Sequence, residues 1–204
     1  MNADPPVNAT RQADRRRETN ETTVEARLVL DGGGHASVET GIGFLDHMLE
    51  LVALHGRFDL EVRARGDLDV DYHHTVEDVG LVIGECLLQA LADKAGIRRF
   101  GVSYVPLDEA LSRVVVDLSG RPFLDFHVAF PTERVGAFPT ELFEDFFRAL
   151  SDRARLTLHI DLLRGRNSHH IAETIFKAFA RSLAEAVTRS ESHAVPSTKG
   201  TLSE

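Results

Sequence analysis

Asp71-Tyr-His-His-Thr-Val-Glu-Asp78 decides how the chain is read, because it returns near the other end as Asn167-Ser-His-His-Ile-Ala-Glu173. Both stretches carry His-His-x-x-Glu, and the register is kept. His73 and His169, His74 and His170, and Glu77 and Glu173 each lie 96 residues apart. The flanks repeat too: Phe58-Asp-Leu-Glu-Val-Arg-Ala-Arg-Gly66 precedes one copy and Leu156-Thr-Leu-His-Ile-Asp-Leu-Leu-Arg-Gly165 the other. An apolar run of helical period follows each, Val79 to Leu91 and Ile175 to Val187. A period this long indicates a duplicated half-domain, since solenoid units repeat every 20–50 residues or so.

If each motif opens a helix, positions i and i+4 share a face, so His73 with Glu77, and His169 with Glu173, can grip one cation each. Adjacent histidines diverge by about 100° on a helix and are better placed to serve two ions than one. The duplication then suggests an exchange between halves. His73, Glu77 and His170 make one site, and His169, Glu173 and His74 make the other. Imidazole with carboxylate suits Mn, Fe, Co, Ni or Zn, and the lack of cysteine ligands argues against a closed structural zinc site. The repeat also aligns Asp46-His47 with Glu144-Asp145, His47 lying 26 residues before His73 and Asp145 lying 24 before His169. His47 becomes a fourth ligand for the ion of His74, His169 and Glu173, and Asp145 a fourth for the other.

Outward from the motifs, the chain reads as two β-β-α-β-α halves, residues 17–96 and 97–190, each a sheet with helices on one face. Thr23 to Leu30 and His35 to Thr40 read as a hairpin around Asp31-Gly-Gly-Gly34, followed by a helix from Phe44 to His55 and a strand from Phe58 to Ala64. Gly96 is expected to cap the first motif helix. In the second half, Val102 to Leu107, Leu111 to Asp117 and Phe123 to Phe130 are strands, Thr132 to Pro139 a loop, Glu141 to Leu150 a helix and Leu156 to Leu162 a strand. Residues 1–16 read as a disordered tail, with Arg15-Arg16-Arg17 a solvated charge run. Residues 191–204 form a C-terminal tail that carries a binding segment.

The chain has 204 residues, 43% of them hydrophobic and 27% charged, which is ordinary for a globular protein able to bury a core. A net charge of −9 argues against nucleic acid as a partner. Cys86 is the only cysteine and lies in an apolar run, so it reads as core. No signal peptide or membrane-length apolar run is present, which points to the cytoplasm and to no membrane partner. Arg98-Arg99, Arg121 in a turn, and Val195-Pro-Ser-Thr-Lys-Gly200 offer groups suited to a phosphate monoester.

Taken in order, Phe44-Leu-Asp-His-Met, His73-His-Thr-Val-Glu-Asp78, Ser119-Gly-Arg-Pro122, Arg166-Asn-Ser-His-His-Ile-Ala-Glu173, Phe176-Lys-Ala-Phe-Ala-Arg181 and Pro196-Ser-Thr-Lys-Gly200 closely resemble the imidazoleglycerol-phosphate dehydratase family, from about Arg17 to Gly200. The resemblance implies an α+β fold of duplicated two-layer halves, of the ribosomal protein S5 domain 2-like kind. It implies a hydro-lyase of histidine biosynthesis that converts imidazole glycerol phosphate to imidazole acetol phosphate. Two Mn²⁺ per subunit are implied, in a homo-oligomeric cubic shell of 24 copies with active sites between subunits. His47, His74, His169 and Glu173 fall to one manganese; His73, Glu77 and His170 fall to the other, with Asp145 where family members often have histidine. Glu21 matches a proton-transfer residue, His55 a substrate-contacting helix, and Arg99, Arg121, Lys177, Ser197, Thr198 and Lys199 the substrate and phosphate grip. The proton to be removed is not acidified by a carbonyl, so the neighbouring imidazole must supply the activation, as a metal-stabilised imidazolate. A bimetallic hydrolase and a non-catalytic metal-holding shell are the competing classes. The first would release inorganic phosphate, and the second would give Glu21 and Lys199 no role.

Overall fold

The computed structural model describes residues 10–192 and 194–202. Its first half runs β1 (Gln12–Glu18), β2 (Thr22–Val29), β3 (Ala36–Glu39), α1 (Gly43–Gly56), β4 (Asp59–Gly66) and α2 (His73–Leu91). The second runs β5 (Phe100–Leu107), β6 (Ala110–Asp117), β7 (Phe123–His127), a short ribbon of β8 (Arg134–Val135) and β9 (Phe138–Pro139), α3 (Leu142–Ala154), β10 (Thr157–Arg164) and α4 (Ser168–Val187). The sheets have matching orders, β1-β2-β4-β3 and β5-β6-β10-β7. In each, three strands are antiparallel and the fourth is parallel to its neighbour, β3 to β4 and β7 to β10. A parallel pair needs a crossover connection, and α1 and α3 supply it.

Alternation decides which sheet face is covered. Thr22, Val24, Ala26 and Leu28 of β2, and Ala110, Ser112, Val114 and Val116 of β6, are buried, while the residues between them are not. Onto these faces pack α2 over β1 and β2, and α4 over β5 and β6. The two helix layers then meet, α1 against α4 and α2 against α3, so the helices lie between the sheets. Phe143, Phe146 and Phe147 of α3 and Phe176 and Phe179 of α4 fill that middle, each at most 1% exposed. α2 and α3 approach closely because Gly80 and Gly84 carry no Cβ. One placed there would lie 2.7 Å from the Phe146 carbonyl oxygen and 2.6 Å from that of Leu150. Cys86 belongs to this core, and burial pushes its thiol up to about 12.

Several expectations need correction. Residues 1–9 of the expected tail lie outside the described residues, but Gln12 to Arg16 belong to β1, an edge strand whose polar side chains hide the usual apolar alternation. The charge run alternates faces: Arg16 pairs outward with Glu18 and Glu25, and Arg17 with Asp78 of α2. The hairpin partner of β2 is β1, whereas β3 runs parallel to β4. Asp59 Oδ1 explains the difference, since it accepts from the backbone N–H groups of Gly33, Gly34 and His35 and carries the glycine loop across to the far side of β4. Gly96 does not cap α2; Ala92 does, and Gly96 donates instead to the carbonyl of Ala194, seating the C-terminal segment. The loop over Thr132 to Pro139 contains the β8–β9 ribbon.

Candidate metal centre and phosphate cup

Both His-His-x-x-Glu motifs stand at helix starts, and the repeat extends to what holds them there. Asn167 Oδ1 accepts from the backbone N–H groups of His169 (2.9 Å) and His170 (3.3 Å), and Asp71 Oδ1 accepts from that of His73 (2.7 Å). Such side-chain acceptors satisfy the free amides of a first turn. The i,i+4 spacing then sets His169 beside Glu173 on one face of α4, and α1 brings His47 up to it.

The resulting cluster is tight. His169 Nε2 lies 2.9 Å and His47 Nε2 3.3 Å from Glu173 Oε1, and the three ligand atoms fall within 4.8 Å of one another. A divalent ion with bonds of about 2.0–2.2 Å spaces its donors by roughly 3–3.5 Å, so these atoms fit one cation. Phe44 packs edge-on against His169, with centroids 5.3 Å apart, and restrains that ring. The other Glu173 oxygen is taken by Lys177. Burial works against the Glu173 charge, but hydrogen bonds from Lys177, His169 and His47 outweigh it and hold the carboxyl down at about 2.

On the equivalent helix pair, α2 and α3, His73 Nδ1 lies 3.4 Å from Asp145 Oδ2. Glu77 is exposed one turn on, without a hydrogen bond or ion pair among the described residues. The exchange of leftover histidines between halves is not made within the single chain. His74 stands apart from the cluster, its Nδ1 3.0 Å from Asp67 Oδ2 and 3.8 Å from Glu21 Oε2. His170 likewise stands apart, its Nδ1 2.8 Å from Glu109 Oε2. The bond to Asp67 raises the pKa of His74 against the opposing desolvation, and the charges of Glu21, Asp67 and Asp71 add to the rise. Glu21 sits on the β1–β2 turn, which Asp78 pins from α2 by accepting from Arg17 Nε and Thr22 Oγ1. His55, in the last turn of α1, is pushed toward neutrality by burial and by Lys177 and Arg181.

A second concavity, of about 550 Å³, gathers Arg99, Arg121, Ser197, Thr198 and Lys199. Arg99 is partly committed already, since Asp117 accepts from its Nε (2.7 Å) and Nη2 (3.1 Å), and the Pro196 carbonyl accepts from Nη1 (2.9 Å). Arg121 and Lys199 form no ion pair among the described residues. The side chains that sequence reasoning missed are Asp67, Glu109, Asp117 and Arg181. The repeat does not reveal the first two: 96 residues after Asp67 stands Leu163, and 96 before Glu109 stands Ala13.

Fold and site together define a class, an internally duplicated α+β protein with histidine–carboxylate metal-type centres at the helix starts and an anion cup at the far end of α4, where the Arg99 backbone N–H donates to the Ala186 carbonyl. The imidazoleglycerol-phosphate dehydratase family model matches residues 40–183. An imidazoleglycerol-phosphate dehydratase of Acidithiobacillus ferrooxidans is 56% identical over 194 residues, 94% of this chain and 98% of that one. The crystal structure of the Staphylococcus aureus imidazoleglycerol-phosphate dehydratase superposes with TM-score 0.80 at 45% identity, covering 88% of this chain and 99% of that one. That of the Pyrococcus furiosus protein, in complex with (S)-C348, gives 0.81 at 36% identity, covering 92% and 100%. The chain belongs to the imidazoleglycerol-phosphate dehydratase family, and it is an enzyme of that hydro-lyase class, in histidine biosynthesis. No helix among the described residues is long and apolar enough to cross a membrane.

Proposed function

We propose that this chain dehydrates imidazole glycerol phosphate to imidazole acetol phosphate, with two Mn²⁺ per subunit, in a cytoplasmic shell of 24 copies. The observation that carries the metal part is the convergence of His47, His169 and Glu173 on one point. His73 and Asp145, with Glu77 a turn away, supply the start of the second site. His74 and His170 lie outside both groups in their own chain, which supports their acting as ligands toward neighbouring copies.

Manganese, when bound, supplies Lewis-acid and templating chemistry to the imidazole ring of the substrate. The chain's own residues do the rest. Arg121 and Lys199, with the hydroxyls of Ser197 and Thr198, hold the phosphate by charge-assisted hydrogen bonds. Because this cup lies at the far end of α4 from His169, it serves a substrate seated on the metals of a neighbouring copy. Arg99 braces that cup through Asp117 and the Pro196 carbonyl while adding its charge. Glu21 is exposed, faces His74, and moves a proton at its carboxylate. Lys177 holds Glu173 with one oxygen toward the histidines.

Association of copies is supported by the outer sheet faces, which differ. That of the first half carries the ion pairs Arg16–Glu25 and Arg27–Glu61. That of the second also carries an ion pair, Arg113–Asp161, but exposes Phe100, Val102, Tyr104, Phe123 and Leu163 besides, a grouping more typical of an interface than of free surface. The test of function is purified protein with Mn²⁺ and imidazole glycerol phosphate, followed for an enolisable ketone against inorganic phosphate.

A further inference from the structure

His74 and His170 each have one ring nitrogen already spoken for, and by a carboxylate in both cases. Asp67 lies in the loop after β4 and accepts from His74 Nδ1 at 3.0 Å. Glu109 lies in the β5–β6 turn and accepts from His170 Nδ1 at 2.8 Å. The two carboxylates come from positions the duplication does not relate, yet they do the same thing to equivalent histidines. Glu109 is itself fixed, because its other oxygen accepts from the backbone N–H groups of Asn167 (2.9 Å) and Arg166 (3.3 Å) at the entrance to α4.

A neutral imidazole carries one proton, and a carboxylate at Nδ1 holds it there, leaving the Nε2 lone pair as the only ligand. Carboxylates behind metal-bound histidines fix ring orientation and raise basicity in this way. We infer that Asp67 and Glu109 are positioning residues that hold His74 and His170 in the Nδ1–H tautomer and present Nε2 as the metal ligand. The inference rests on the proposed manganese centre for its function but not for its geometry.

Glu109→Gln separates this role from loop bracing. A glutamine keeps its carbonyl oxygen on the backbone N–H groups of Arg166 and Asn167, and it then offers an N–H to His170 Nδ1. That reverses the tautomer, moves the ring proton to Nε2 and blocks the ligand. Manganese titration of Glu109→Gln and Asp67→Ala should each show one of two sites weakened, by roughly 10- to 100-fold. Adding His170→Ala to Glu109→Gln should cost little more, and His74→Ala with Asp67→Ala should cost less than the two single losses combined. Melting of the metal-free variants should match that of the parent. Two sites of parental affinity in both variants overturn the inference, as does a loss of affinity that simply adds to that of the histidine variant. A parent that binds no manganese sinks the proposed centre instead. The tautomers are then read directly by ¹⁵N NMR of the histidine-labelled metal-free chain, where Nε2–H forms of His74 and His170 overturn the inference.

Discussion

At the scale of the residue, most of the candidate centre's geometry was open to sequence reasoning because helical spacing is rigid. His169 and Glu173 sit on one face as i and i+4 require, and the repeat pointed to His47 as their companion across the helix layers and to Asp145 as that of His73. The Asp145 carboxylate is 3.4 Å from His73 Nδ1, close enough for both to share an ion. Asp145→Ala should therefore loosen one manganese and spare the one at His47, giving one tight and one weakened site in a metal titration. Two unweakened sites would remove Asp145 from the centre. In the phosphate cup, Arg121→Ala and Lys199→Ala should each cost about 1.5–3 kcal/mol of substrate binding, the worth of a hydrogen bond to a charged group. Steady-state kinetics should show this as a KM raised roughly ten- to a hundredfold. Arg99→Ala should also loosen the C-terminal segment, because it leaves Asp117 and the Pro196 carbonyl without their donor. Asp67 and Glu109 were out of reach because a loop and a turn brought them to the histidines, and neither belongs to the repeat.

At the scale of the element, the buried strands and helices announced themselves by period, and the errors fell where local chemistry overruled pattern. β1 lacks apolar alternation because it is an edge, and β3 pairs with β4 because Asp59 redirects the glycine loop. Hydrogen bonds from His35 and Gly33 hold the Asp59 carboxyl down at about 2, below the usual 3.8. A depressed carboxyl stabilises the fold above its unfolded value, and that contribution fades as pH falls from 3.8 toward 2. Asp59→Ala should accordingly lower the melting temperature at neutral pH, and the deficit should shrink across that interval. A deficit constant down to pH 2 would mean that the charge is irrelevant to the loop. The α2–α3 contact has a different weakness. In Gly84→Ala the new methyl meets the Leu150 carbonyl, and overpacking of this kind costs about 1–3 kcal/mol. Denaturant unfolding should show a lower midpoint at unchanged slope.

At the scale of the whole molecule, two sheets enclose four helices, and the metal-type side chains gather at the helix starts instead of inside one closed pocket. The histidines outside both groups, and the exposed apolar row on the second sheet, support the proposed association of copies. A charge in that row, as in Val102→Arg, should yield smaller particles with native circular dichroism; full-sized particles would place the contacts elsewhere. If manganese binds only the assembled form, chelation should break large particles down and Mn²⁺ should restore them, as sedimentation would show. The most direct test of the whole is chemical. Purified chain, freed of metal and then supplied with Mn²⁺, is incubated with imidazole glycerol phosphate. An enolisable ketone formed without inorganic phosphate, only when metal is present, is the expected result; release of phosphate, or ketone formed equally without metal, would contradict it.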